Sequence, residues 1–180
     1  MTVEVRPGDV LVVTTGHWAG WWVRLQARLL GKPARHDHVA VFSHIDAGGT
    51  AWVIEGRPSG VGWALASTYL DHPATVHNAA QPKNDHQRSM ILTAATALLG
   101  TDYDWTAIAQ LGAEVFRINA LWRRYREWGE QSPPVAVICS SLADLAYEKA
   151  GLASPGGRDE TRFTDVGDWA SWIARRGWET

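Results

Sequence analysis

The sequence predicts a mixed chain of strands and helices, and three observations carry that reading. Short β-branched runs bounded by Gly, Pro and Asp predict strands, first over residues 8–15 and again after residue 38. Apolar residues recurring at three- and four-residue steps predict helices, among them 18–30 and 85–99. The third observation is the stretch 135–147, around which the rest of the chain is organised. There Pro133-Pro134 and a short apolar run lead to Cys139, which starts a segment with Leu142, Leu145 and Ala146 at helical spacing. Gly151 stands where a helix C-terminal cap is expected. The sole cysteine thus occupies a predicted first helical turn. Unpaired backbone N–H groups and the positive end of the macrodipole favour thiolate over thiol at such a place. A lone cysteine is equally well read as a small buried apolar residue.

Taken in order, the first strand follows the turn signal Pro7-Gly8, and the helix after it is expected to end at Gly31-Lys32-Pro33. Its apolar face is predicted to hold Trp18, Trp21, Trp22, Leu25, Leu29 and Leu30, with Arg24, Gln26 and Arg28 on the other. Residues 35–44 read as a strand opening on two histidines, 46–50 as a hairpin loop and 51–55 as the returning strand. That pairing can bring His38 and Glu55 together on one face. A turn at 56–60, a short strand or loop from Gly62 and a further strand at 74–79 come next. The helix at 85–99 is expected to bury Met90, Ile91, Ala94, Ala97 and Leu98 and to stop at Gly100. From Trp105 to Glu130 a helical rhythm runs into a basic end with Arg117, Arg123, Arg124 and Arg126. A loop at 154–157 precedes a last helix reaching Trp172 and Ile173.

At 180 residues the chain is expected to form a single domain, 1–180, with a proper core. Its net charge of −2, with both signs mixed, gives no reason to expect nucleic acid as a partner. One cysteine cannot close an intrachain disulfide. No run of about 18 apolar residues predicts a transmembrane helix, and residues 1–7 lack the layout of a signal peptide. A cytoplasmic or otherwise unprocessed protein is expected. Eleven tryptophans mean either an aromatic-rich core or aromatic surface kept for a ligand, partner or interface.

A cysteine nucleophile needs a base, and the base needs a third group to fix its tautomer and orientation. Of the seven histidines, His17, His72, His77 and His86 have no companion that singles them out and read as surface or structural. His36, His38 and His44 share strand parity and are expected on one side. His36 and His38 also form a His-x-His pair usable by a metal, but no second ligand cluster accompanies it, so no metal and no cofactor is expected. Glu55 taken alone reads as a solvated strand-end carboxylate.

The order of these segments resembles a family. Gly8-Asp9-Val10-Leu11-Val12, then His38-Val39-Ala40-Val41, then Val53-Ile54-Glu55 with Gly60-Val61, then Cys139-Ser140-Ser141-Leu142-Ala143 is similar to a circularly permuted NlpC/P60 domain. This is the YaeF/YiiX-like and LRAT-like branch of the papain-like cysteine hydrolases, in which histidine precedes cysteine. The resemblance implies an α+β fold, with a central antiparallel sheet packed against the helix that carries the cysteine. It implies Cys139 as nucleophile, His38 as base and Glu55 as the group that orients the imidazole. His38 is preferred to His36 because small and β-branched strand residues follow it directly. The pair His36-Asp37 departs from the family pattern, and Asp37 stands near enough in sequence to influence His38.

The activity so implied is a thiol-dependent peptidase or amidase that cleaves an amide or ester bond through a thioester, with peptidoglycan peptides as the first substrate class. The permuted branch also implies acyl-lipid hydrolysis or acyl transfer, and the tryptophans of the first helix and of 105–128 suit an apolar substrate. The stretch with Arg117, Arg123, Arg124 and Arg126 reads either as a lid or peripheral contact with an anionic membrane, or as a solvated face. A non-catalytic binding or assembly module, of phage or bacterial origin, is the reading from a different class.

Overall fold

The computed structural model describes residues 5–15, 18–29, 31, 34–70, 76–77, 84–105, 136–155 and 166–175. Val10–Val13 forms β1, and all four of its side chains are buried, as a β-branched run inside a sheet requires. His38–Ile45 forms β2, Ala51–Arg57 β3 and Gly60–Leu65 β4; the short Val76–His77 is β5. They make one antiparallel sheet in the order β4-β3-β2-β1-β5, four full strands with a two-residue strand at one edge. The helices among the described residues are α1 (Trp18–Leu29), α2 (Ser67–Leu70), α3 (Asp85–Ala97), α4 (Cys139–Lys149) and α5 (Val166–Ala174). Two further short strands, β6 (Asp102–Tyr103) and β7 (Ala136–Val137), pair in parallel apart from the main sheet. The molecule is therefore of the α+β class, with an antiparallel sheet. No helix among the described residues is long and apolar enough to cross a membrane.

Alternation along the strands sorts the core into two layers. Val10, Val12, Val39, Val41 and Ile54 face α3, α4 and α5, meeting Ile91, Leu142, Ala146, Trp169 and Ile173. Leu11, Val13, Ala40, Phe42 and Val53 face the other way, against Ala66 and Tyr69. Burying a side chain the size of Leu142 contributes about 1.5–3 kcal/mol, so the α4 layer is held mainly by apolar contact. Gly151 follows α4 with a φ of 70°, the left-handed turn that ends a helix at little steric cost to glycine. At the other side of that layer, Asp9 accepts the Arg6 N–H at 2.8 Å and Arg88 Nη1 at 2.9 Å. Tyr147 donates to the Gly8 carbonyl at 3.0 Å. These bonds tie α3 and α4 to the start of β1.

Several expectations change. The strand from Gly62 begins earlier, at Gly60, and β3 runs on through Arg57, so the turn narrows to Pro58-Ser59. The helix α3 starts on Asn84, whose side chain accepts the Gln87 N–H at 2.9 Å. It buries Ile91 and Ala95 while Met90 and Ala97 face outward, one position off the expected stripe. The largest change is in α1. Its aromatic face is turned out, with Trp21 57% exposed, while Gln26 on the predicted polar face is 4% exposed. The cause is Asp37, whose buried carboxylate accepts the Thr15 N–H at 2.7 Å and pairs with Arg24. A Cβ on Gly20 would overlap that carboxylate, so α1 approaches it through a glycine. An unpaired buried carboxylate costs several kcal/mol, enough to offset leaving two indoles partly in water. The rhythm expected over 105–130 lies outside the described residues beyond Trp105.

Candidate active site

In the register of β2 and β3, Ala40 faces Glu55. His38, two residues earlier on the same face, is therefore the diagonal neighbour of Glu55. His38 Nε2 lies 2.6 Å from Glu55 Oε2. Tyr69, from α2, donates its hydroxyl to the same oxygen at 2.6 Å, and Arg57 Nε stands 3.1 Å from Oε1. The Arg57 approach is an ion pair that misses hydrogen-bond alignment, and its guanidinium also donates to the Trp63 carbonyl at 2.5 Å. Glu55 is 1% exposed, so it is no solvated strand-end carboxylate but an acceptor enclosed by donors. Burial by itself pushes the Glu55 carboxyl up; the His38 bond and charge, then Tyr69 and Arg57, outweigh it and hold the group below its ordinary value. Tyr69 is pushed up by burial and by the Glu55 charge, which keeps it a phenol and a donor.

Cys139 is the first residue of α4. Ile138 precedes it in extended conformation, and its N–H donates to Ser141 Oγ at 3.0 Å. That reach back from the first turn is the local reason the helix begins where it does. Cys139 is 7% exposed, and what exposure it has opens on a cavity of about 680 Å³. His38, Glu55, Tyr69 and Tyr103 line the same cavity. Because Nε2 of His38 meets Glu55, Nδ1 is the nitrogen left for the thiol. Burial lowers the His38 pKa, but the negative charge Cys139 can carry and its side-chain hydrogen bond, followed by Glu55, push it up to about 10. Tyr103 is raised by burial and then by the charge of Cys139, so an undissociated hydroxyl stands close to the sulfur. A sulfur, an imidazole and a carboxylate thus meet at one wall of a cleft, with two phenols beside them.

The structure therefore brings Cys139, His38 and Glu55 together. His36 is buried and His86 exposed, while His17 and His72 lie outside the described residues. His44 does not share a face with His38 by simple alternation, because the β2–β3 register shifts between Phe42 and His44. It packs edge-on against Trp63, ring centres 5.5 Å apart. Asp37 lines the cavity but spends its oxygens on Thr15 and Arg24. Among the described residues no group of three or more His, Cys, Asp or Glu is arranged to hold a metal ion. A second cavity, about 640 Å³ beside Arg6, Arg88 and Thr93, is lined by no cysteine or histidine.

Three residues of the site had no sequence argument. Tyr69 sits on α2, too short to show a helical period; Arg57 was expected in a turn; Tyr103 belongs to a strand of two residues. A scan against protein-family models returns no match, and no curated protein matches the sequence.

Proposed function

We propose that the protein is a cysteine hydrolase acting on an amide or ester bond, with the papain-like arrangement that its resemblance to the permuted NlpC/P60 branch implies. The observation that carries the reading is the His38–Glu55 contact of 2.6 Å with Cys139, the first residue of α4, in the wall of the same cleft. Cys139 as thiolate attacks the carbonyl carbon, forming the C–S bond while the carbonyl oxygen takes up the negative charge. The backbone N–H of Cys139, at the helix start, is a candidate donor to that oxygen, and Tyr103 lines the same cavity. His38 gives its proton to the leaving amine or alcohol as the C–N or C–O bond breaks, leaving a thioester. Neutral His38 then takes a proton from water, whose oxygen displaces the sulfur and releases the acid. Glu55, held by Tyr69 and Arg57, fixes the ring and stabilises the imidazolium.

Peptidoglycan peptides are the first substrate class on this reading. A second reading, hydrolysis or transfer of an acyl lipid, is favoured by the partly exposed Trp63 and Leu65 on the cleft wall and Trp105 packed edge-on beside Tyr103 at 5.2 Å. The test is a screen of peptidoglycan fragments beside acyl-lipid esters, with Cys139→Ala as control. Turnover that drops by at least about 10³-fold in the folded variant supports the proposal. Equal turnover in Cys139→Ala refutes it.

A further inference from the structure

The two halves of the site belong to opposite faces of the sheet. His38 and Glu55 share strand parity with Ala40 and Val53, on the side of Tyr69. Cys139 belongs with α4 on the other side, among Val39, Val41 and Ile54. Between them stands Gly56, next to Glu55 and directed by alternation toward α4. A Cβ on Gly56 would lie 3.1 Å from Cys139 N, 3.2 Å from Ile138 C and 3.3 Å from Cys139 Cα. All three are backbone atoms, so no flexible side-chain end can swing aside. The start of α4 rests on the bare backbone of β3.

Glycine inside a strand is destabilising by about 0.5–1 kcal/mol relative to alanine, so its presence there needs a reason. Left-handed backbone is not that reason, because Gly56 is not among the positive-φ glycines. Close approach is. We propose that Gly56 is a positioning residue for the thiol: its missing side chain lets Cys139, on one face, reach the His38–Glu55 pair that belongs to the other. The inference rests on reading Cys139 and His38 as the reacting pair. A methyl group here moves the first turn of α4 by a few tenths of an ångström or tilts it, and a misplacement near 1 Å costs about 100-fold in rate.

The test needs no substrate. Iodoacetamide alkylation of Cys139 is followed from about pH 5 to pH 9, across the range of an ordinary thiol. It compares the wild type, Gly56→Ala, His38→Gln and, as a control for glycine loss in a surface hairpin, Gly48→Ala, each with a thermal melt. The expected result is a Gly56→Ala protein that melts cooperatively but alkylates roughly ten-fold or more slowly near pH 6, its profile moved toward that of His38→Gln. Gly48→Ala matches the wild type. A folded Gly56→Ala within about two-fold of wild type at every pH overturns the proposal. Should Gly56→Ala lose its cooperative melt, it is measured with trimethylamine N-oxide added to favour the folded state. Slow alkylation in that folded protein supports the proposal; wild-type alkylation or a second loss of folding overturns it. A wild type that alkylates as His38→Gln does sinks the thiol–imidazole pairing itself, and the role of Gly56 with it.

Discussion

Asp9 and Glu55 are both shut away from water at one sheet, and they behave in opposite ways. Asp9 receives Arg88 Nη1 and the Arg6 N–H, yet burial prevails and its carboxyl is raised above the ordinary value. Glu55 receives His38 and Tyr69 on one oxygen and Arg57 beside the other, and there the donors prevail and lower it. Depth does not separate the two, since their relative exposures are 0% and 1%. Partners do. The Asp9 cluster ties helices to a strand, whereas Glu55 spends its charge on an imidazole that faces a cleft.

Exchanging the two carboxylates for amides tests that contrast most severely. Glu55→Gln should lower kcat/KM by roughly 10³-fold, because an amide does not stabilise the imidazolium. Asp9→Asn should leave it within about two-fold in the same assay. Unfolding by urea reads the truncation of Asp9 instead. Asp9→Ala leaves a mostly buried Arg88 guanidinium without its carboxylate and should cost about 3 kcal/mol. Tyr69→Phe removes one bond to Glu55 and should cost about ten-fold in kcat with KM little changed, the size of a lost charge-assisted hydrogen bond.

The pH dependence of stability sharpens the contrast further, and the signs differ. Glu55 is depressed, so its contribution to stability is present above its unfolded value of 4.5 and is lost as pH falls through the lower folded value. Asp9 is raised, so the fold favours its neutral form, and stability falls as pH rises from 3.8 through the higher folded value. Urea midpoints from about pH 2 to 6 should therefore lose a rising component in Glu55→Gln and a falling one in Asp9→Asn. His38 adds an alkaline limb: its contribution is complete below 6.5 and is lost as pH rises toward about 10, and His38→Gln should abolish that limb.

Local rules made much of this readable. Residues 38–43 were readable as a strand from their run of small and β-branched residues, buried on both faces, and the hairpin at 46–50 brought the returning strand to Glu55 beside it. The cysteine helix was readable because α4 buries Leu142 and Ala146 at its expected spacing. The inward side of α1 was not, since it is set by Asp37, a residue on another element whose need for Arg24 no helical period reveals. Tyr69 and Arg57 were hidden for the same reason: each matters through Glu55, 14 and 2 positions away, and carries no motif of its own.

The parallel bridge joining Asp102 to Ala136 and Tyr103 to Val137 works as a staple. It pins Ala136 and Val137, far along the chain, directly beside Asp102 and Tyr103. Cys139 departs two positions after Val137, so the start of α4 is anchored to the segment that carries Tyr103. Two residues of ladder thus hold a cysteine and a phenol, remote in sequence, to a common reference point.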